Sequence, residues 1–104
     1  MNWKTKENQN LIEALLSLTS KSDVEKFLRD LMTEGEIEAF AKRLKTAEML
    51  LNNVPYSTIE KETGFSSTTV ARVSKWLNGG KGGYKLIINN LHHHNSTQLK
   101  RGLS

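Results

Sequence analysis

The sequence contains no cysteine, a single proline and no long apolar run. Without cysteine the chain has no disulfides and no thiolate metal ligands. No apolar run approaches the roughly 18 residues that a transmembrane helix needs. The first residues, MNWKTKENQN, are polar, so we expect no signal peptide and a cytoplasmic protein. A chain of 104 residues fits one domain, and a core shared between two copies is unsurprising at this size.

Acidic residues are absent after Glu62. Residues 1–54 carry eight Lys or Arg and nine Asp or Glu, whereas residues 55–104 carry seven and two. The charge balance is therefore −1 in the first half and +5 in the second. A basic surface of this kind is expected where a protein neutralises phosphates. The alternative is a solvated basic tail, which suits Lys100 and Arg101.

Apolar residues recur at helical spacing, and no strand alternation stands out, so the predicted fold is all-α. The pattern predicts helices over residues 6–18, about 24–31, 34–52, 57–62 and 67–78, and a last helix over about 84–91. Ser20 or Ser22 caps the second helix. Thr33 and Glu36 form a capping box at the start of the third.

A second capping box, Ser57 with Glu60, is predicted to open the fourth helix. Gly64 then supplies the left-handed conformation of a tight turn, and Ser66 or Ser67 caps the next helix. The glycines of NGGKGG, residues 78–83, predict a flexible hinge.

The stretch TGFSSTTVARVSKWL, residues 63–77, is interpreted as the turn and second helix of a helix-turn-helix. Its apolar contacts are predicted to come from Ile59, Phe65, Val70, Val73 and Leu77. The outward face then carries hydroxyl groups and cations.

A recognition helix presents its N-terminal residues to base edges in the major groove. Base contacts are predicted for Ser67, Thr68, Thr69 and Arg72. Phosphate contacts are predicted for Ser57, Thr58, Lys61, Ser66, Lys75 and Lys81. The alternatives are an ordinary helical hairpin and a protein-interaction module that uses the helix-turn-helix as a scaffold.

Two blocks of the sequence resemble the Trp repressor family. The first is LMTEGEIEAFAKRLKTAEMLL, residues 31–51, and the second is TGFSSTTVARVSKWL. Matching residues are Thr33, Glu36, Glu38, Ala39, Arg43, Glu48, Leu50 and Leu51, then Gly64, Thr69, Arg72, Ser74 and Leu77. The segment LNGGKGGY, residues 77–84, is similar to one found in Trp-repressor-related proteins of Gram-positive bacteria, the YerC/YecD-like branch.

The resemblance implies an intertwined all-helical homodimer with two helix-turn-helix heads on palindromic double-stranded DNA. We therefore expect a transcription regulator, specifically a repressor. We divide the single domain 1–104 into dimerisation helices (6–54), a helix-turn-helix (55–78), a glycine hinge with the last helix (79–91) and a disordered tail (92–104). The apolar residues from Leu11 to Leu31 fit this scheme because they need a partner surface.

The family holds its tryptophan corepressor between two arginines, which Arg43 and Arg72 match, and Thr33 matches a hydroxyl near the ligand. Two positions depart from the pattern: Val73 replaces a glycine and Trp76 replaces a small serine. A branched side chain and an indole fill such a cavity. We therefore expect L-tryptophan not to act as corepressor, and leave another small-molecule effector open for this pocket. No cofactor is expected.

Three other patterns in the sequence have simpler explanations than a functional site. The histidines of residues 92–94 point about 100° apart on a helix, so we predict no metal site there. NGGKGG lacks a preceding strand and the hydroxyl residue of a P-loop. Ser66 or Ser67 has no nearby histidine base, so we expect no enzyme.

Overall fold

The computed structural model describes the backbone of residues 1–103 and the side chains of residues 1–93, and within them every regular element is a helix. The helices are α1 (Lys6–Leu16), α2 (Lys21–Leu31), α3 (Glu34–Leu51), α4 (Tyr56–Thr63), α5 (Ser67–Gly79) and α6 (Gly83–Leu103). The predicted all-α fold is confirmed. The last helix was predicted over about 84–91 and the tail 92–104 as disordered, but the backbone is helical from Gly83 to Leu103, so both bounds are corrected.

Local capping determines where the first three helices begin. The Thr5 hydroxyl accepts the Asn8 N–H at the start of α1, and the Ser20 hydroxyl accepts the Asp23 N–H at the start of α2. At α3 the predicted capping box forms in both directions. The Glu36 N–H donates to the Thr33 hydroxyl at 3.1 Å, and the Thr33 N–H donates to the Glu36 carboxylate at 3.0 Å.

The second predicted capping box, Ser57 with Glu60, is wrong. The N-cap of α4 is Pro55, which makes no side-chain cap, and the helix begins at Tyr56. The Pro55 carbonyl accepts the N–H groups of both Thr58 and Ile59 at 3.1 Å. Because the proline ring presets φ, here −60°, the chain enters the helix one residue early and Ser57 is already inside it.

The chain divides into two compact units, Met1–Ile37 and Glu38–Ser104, with the boundary inside α3. In the first unit neither α1 nor α2 contains a buried residue. In the second unit Ala47, Val73, Leu77 and Ile88 form the core, so α3, α5 and α6 pack together there. Leu44, Leu50 and Tyr84 surround that core.

No helix within the described part of the chain is long and apolar enough to cross a membrane.

Candidate nucleic-acid interface

Helix α5 has one buried face and one exposed face. Val70 and Val73 are fully buried and Leu77 nearly so. The exposed face carries Ser67, Thr68, Arg72 and Lys75 along with Ala71. The apolar residues predicted from spacing therefore anchor α5 to the rest of the unit. Of the residues on α5 predicted to contact DNA, all but Thr69 are exposed to solvent.

The turn between α4 and α5 depends on Gly64 and the residue before it. Gly64 has φ 77°, a left-handed conformation that a side chain would strain, and its N–H donates to the Glu60 carbonyl at 2.8 Å. The buried Thr63 hydroxyl donates to the Ile59 carbonyl at 2.7 Å and accepts the Phe65 N–H at 3.2 Å. Thr63 thus forms hydrogen bonds on both sides of the turn and helps to fix the direction of α5 relative to α4.

Ser66 is the N-cap of α5, which resolves the two alternatives left by the sequence. Its hydroxyl accepts the Thr69 N–H at 3.3 Å and lies 3.2 Å from the Thr69 hydroxyl. Thr69 is half-buried, so its hydroxyl is partly engaged by the cap, whereas Ser67 and Thr68 are exposed.

The predicted phosphate-contact residues are all exposed. Ser57, Thr58 and Lys61 lie on α4. The remaining three are Ser66 at the N-cap of α5, Lys75 on α5 and Lys81 between α5 and α6.

The nearest acidic residue in the sequence is partly neutralised. Glu62, the last acid of the chain, lies 3.9 Å from the Lys45 ammonium group, with both side chains about half exposed. Neither α5 nor the sequence that follows it carries a carboxylate side chain. The charged side chains of α5 are therefore all positive, as binding to a polyanion requires.

The predicted effector residues belong to two different units and differ in exposure. The Arg43 guanidinium lies over two rings, 5.3 Å from the Phe40 centroid and 5.5 Å from the Trp76 centroid. Val73 is in the core beside Ala47. Arg72 stays exposed on the outer face of α5, and Thr33 belongs to the first unit, where it caps α3.

The sequence did not predict the roles of three residues in the second unit. Thr63 was not predicted to organise the turn, although a hydroxyl residue directly before a turn glycine is a usable signal. Phe40 was not among the predicted site residues, yet its spacing of three residues from Arg43 places the two side chains together on one helix face. The buried Thr46, whose hydroxyl donates to the Lys42 carbonyl at 2.8 Å, carried no such signal.

The histidine run contributes an ion pair within the described residues. The His92 Nε2 lies 3.7 Å from a Glu48 carboxylate oxygen, which links α6 to α3 when the imidazole is protonated. Within residues 1–93, no three His, Asp or Glu side chains are grouped so that they could hold a metal ion.

The sequence is similar to those of known proteins. The family model described as "Trp repressor protein" matches residues 6–92. The uncharacterized protein YerC of Bacillus subtilis (strain 168) is 39% identical over 83 residues, which is 80% of each chain.

Two solved structures are similar in fold and sequence. A TrpR-like protein from Eubacterium eligens ATCC 27750 superposes with a TM-score of 0.83 at 33% identity, over 86% of this chain and 93% of that one. A candidate Trp repressor from Staphylococcus aureus gives a TM-score of 0.81 at 30% identity, over 88% and 95% of the two chains. The chain therefore belongs to the Trp repressor family, a family of DNA-binding transcription regulators with a helix-turn-helix.

Proposed function

We propose that the protein is a sequence-specific transcription repressor that binds a palindromic operator as a homodimer. The observation that carries this proposal is the exposed face of α5, where Ser67, Thr68 and Arg72 are presented opposite a fully buried face. Short hydroxyls and an arginine suit base edges and phosphates in a major groove. The carboxylate-free sequence after Glu62 supports an anionic partner.

The homodimer is supported by the apolar surface of the first unit. Leu11, Leu15, Leu16, Val24 and Leu31 are all more than a third exposed. A stripe of this kind is costly in water unless a partner covers it. A second copy supplies an equal stripe, and two copies place two recognition helices about one helical turn of DNA apart.

We also propose that L-tryptophan is not the corepressor. The Arg43 guanidinium that would receive a ligand ring already has the indole of Trp76 at 5.5 Å. An arginine over an indole is a favourable cation–π arrangement, so the chain provides its own aromatic partner at this position. In isothermal titration we expect no saturable heat from L-tryptophan; tight saturable heat would sink this part of the proposal. Trp76→Ser, which removes the ring and leaves Arg43, is the matched variant.

The DNA-binding proposal is tested by selection from random-sequence DNA at physiological salt. We expect enrichment of a two-fold palindrome, with half-sites one turn apart, that disappears for Thr68→Ala/Arg72→Ala. The matched control is Ser22→Ala/Lys26→Ala on α2, outside the helix-turn-helix, which should retain the enrichment. Absence of enrichment both with and without added L-tryptophan would refute the repressor.

A protein-interaction module remains the second candidate, because an exposed apolar surface also suits a protein partner. Salt separates the two. Binding through about six phosphates should weaken on the order of a thousandfold between 50 and 200 mM salt, whereas an apolar docking surface responds little.

A further inference from the structure

The exposed face of α5 contains one side chain that has no polar atom. Between Ser67 and Lys75, every exposed side chain except that of Ala71 carries a hydroxyl group or a positive charge. We call these exposed residues the reading face; they are Ser67, Thr68, Ala71, Arg72 and Lys75. The other four already have predicted roles in contacting bases or phosphates, and Ala71 has none.

Ala71 lies in the middle of the reading face along the helix axis. A spacing of four residues places Ser67, Ala71 and Lys75 in one row, with Ala71 about 6 Å from each neighbour along the axis. Val70 and Val73, the residues one before and two after it, are fully buried and fix the rotation of α5 about its axis. Ala71 therefore faces whatever the reading face meets, and its methyl group is the shortest side chain in the row.

Thr69 does not fill the same place. It is half-buried, and its hydroxyl lies 3.2 Å from the Ser66 hydroxyl that caps the helix. A base edge that approaches the reading face meets Ala71 more readily than Thr69, because Ala71 is exposed. The start of α5 thus presents Ser67, Thr68 and Ala71, whereas the sequence pattern predicts base contacts from three consecutive hydroxyl residues.

A methyl group in a major groove distinguishes the bases by the hydrogen bonds that it cannot make. A polar base edge pressed against it loses water without gaining a partner, which is costly. Thymine is the one base whose major-groove edge carries a methyl group, and an alanine side chain is among the apolar groups that contact it. A thymine therefore fits against the Ala71 side chain better than any other base.

We propose that Ala71 determines specificity by contacting the C5-methyl group of one thymine in each half-site of the operator. The inference rests on the proposed function, since it needs a homodimer that reads double-stranded DNA through α5. Ser67, Thr68 and Arg72 supply the hydrogen bonds to the DNA, and Ala71 adds the apolar contact.

The test removes the thymine methyl group from the DNA without changing base pairing. The probe is the palindrome enriched by the random-sequence selection, resynthesised with deoxyuridine in place of thymidine at one position of the half-site at a time. Competition against the unsubstituted duplex at fixed salt measures each change. For the full parent chain we expect a position at which uracil weakens binding, by about fourfold in one half-site and about fifteenfold in both, since the two methyl groups contribute independently.

Two substitutions of Ala71 assign the contact. Ala71→Gly deletes the methyl group from the protein, so uracil at the sensitive position should then weaken binding by less than about twofold, as in a double-mutant cycle between contacting groups. Ala71→Gln, which keeps a good helix former on α5, should lose the enrichment of thymine at that position when the selection is repeated.

Thr68→Ser is the matched control. It removes a methyl group from a neighbouring residue of the reading face and keeps the hydroxyl. Uracil should therefore weaken binding of this variant by the same factor as for the parent chain. Circular dichroism checks that each variant keeps its helix content and melting temperature.

Three results would overturn the inference. One is an enriched palindrome in which uracil weakens parent binding at no position, a result that the proposed function would survive. Another is a uracil effect that Ala71→Gly leaves unchanged, or that Thr68→Ser abolishes, since the methyl contact would then belong to another residue. The third is a selection that enriches no palindrome, which overturns this inference together with the proposed function.

Discussion

The two units of the chain have similar apolar spacing, but they differ in whether the apolar residues are buried. In Met1–Ile37, α1 and α2 are well capped and amphipathic, yet neither contains a buried residue. In Glu38–Ser104, helices with similar apolar spacing enclose a core around Ala47 and Val73. Capping and periodicity are therefore enough to form helices, but burial requires a surface to pack against. The apolar residues of the first unit are largely exposed, whereas those of the second unit form its core.

The largest effect is expected when the exposed leucines of α1 are replaced by polar residues. We expect Leu11→Ser/Leu15→Ser to weaken the proposed dimer at least a hundredfold, because two buried leucines are worth about 3–6 kcal/mol together. Sedimentation equilibrium measures this change. Asn10→Ser, at an exposed polar position of the same helix, should leave the dimer unchanged. A double variant that stays dimeric would show that α1 is not the interface.

The core of the second unit should respond as an internal core does. Ile59 is fully buried, so Ile59→Ala should lower the free energy of unfolding by about 2–4 kcal/mol through lost burial and the cavity left behind. Urea denaturation followed by circular dichroism checks this. The neighbouring exposed change Thr58→Ala should cost far less. A small loss for Ile59→Ala would mean that this unit, too, is held mainly by a partner.

The turn of the helix-turn-helix should be sensitive to one hydroxyl. Thr63→Val keeps the shape but removes the hydroxyl that bonds the Ile59 carbonyl and the Phe65 N–H. We expect a loss of about 1–2 kcal/mol in unfolding free energy, because the Phe65 N–H loses its partner. Thermal melts of Thr63→Val and Thr63→Ser separate the effect of the hydroxyl from that of packing, since serine should restore most of the stability.

The smallest expected effect lies at the start of α3 and depends on pH. The Thr33 main-chain N–H, and then its hydroxyl, lower the pKa of Glu36 from its ordinary 4.5. A carboxyl whose folded pKa is depressed contributes stability above its ordinary pKa, and that contribution is lost as the pH falls below 4.5 through the folded pKa. Glu36→Gln should therefore show a shallower loss of stability in acid than the parent chain.

Denaturation midpoints at pH 7 and in acid test this expectation. Glu38→Gln, also exposed and on α3, is the control and should follow the parent. Parallel curves for Glu36→Gln and the parent would show that the capping box does not contribute in solution.

The sequence predicted the parts of the fold that depend on near neighbours. The Thr33–Glu36 box, the cap predicted at Ser20 or Ser22 and found at Ser20, and the Gly64 turn each involve residues within four positions, so local sequence is enough to predict them. The same reasoning failed at α4, because a capping pattern at Ser57 was also compatible with Pro55 starting the helix one residue earlier. Where two local signals overlap, hydrogen bonding to the Pro55 carbonyl decides between them.

By itself, the sequence determined the helical class, the helix-turn-helix and the one-sided distribution of charge, because spacing, caps and composition act within a few residues. The family followed from the resemblance of two longer blocks, residues 31–51 and 63–77. Only the tertiary structure decided which apolar stripes are buried and that Arg43 lies over Trp76. These features join residues about 30 to 40 positions apart. Their geometry follows from how α3, α5 and α6 pack, which no local pattern specifies.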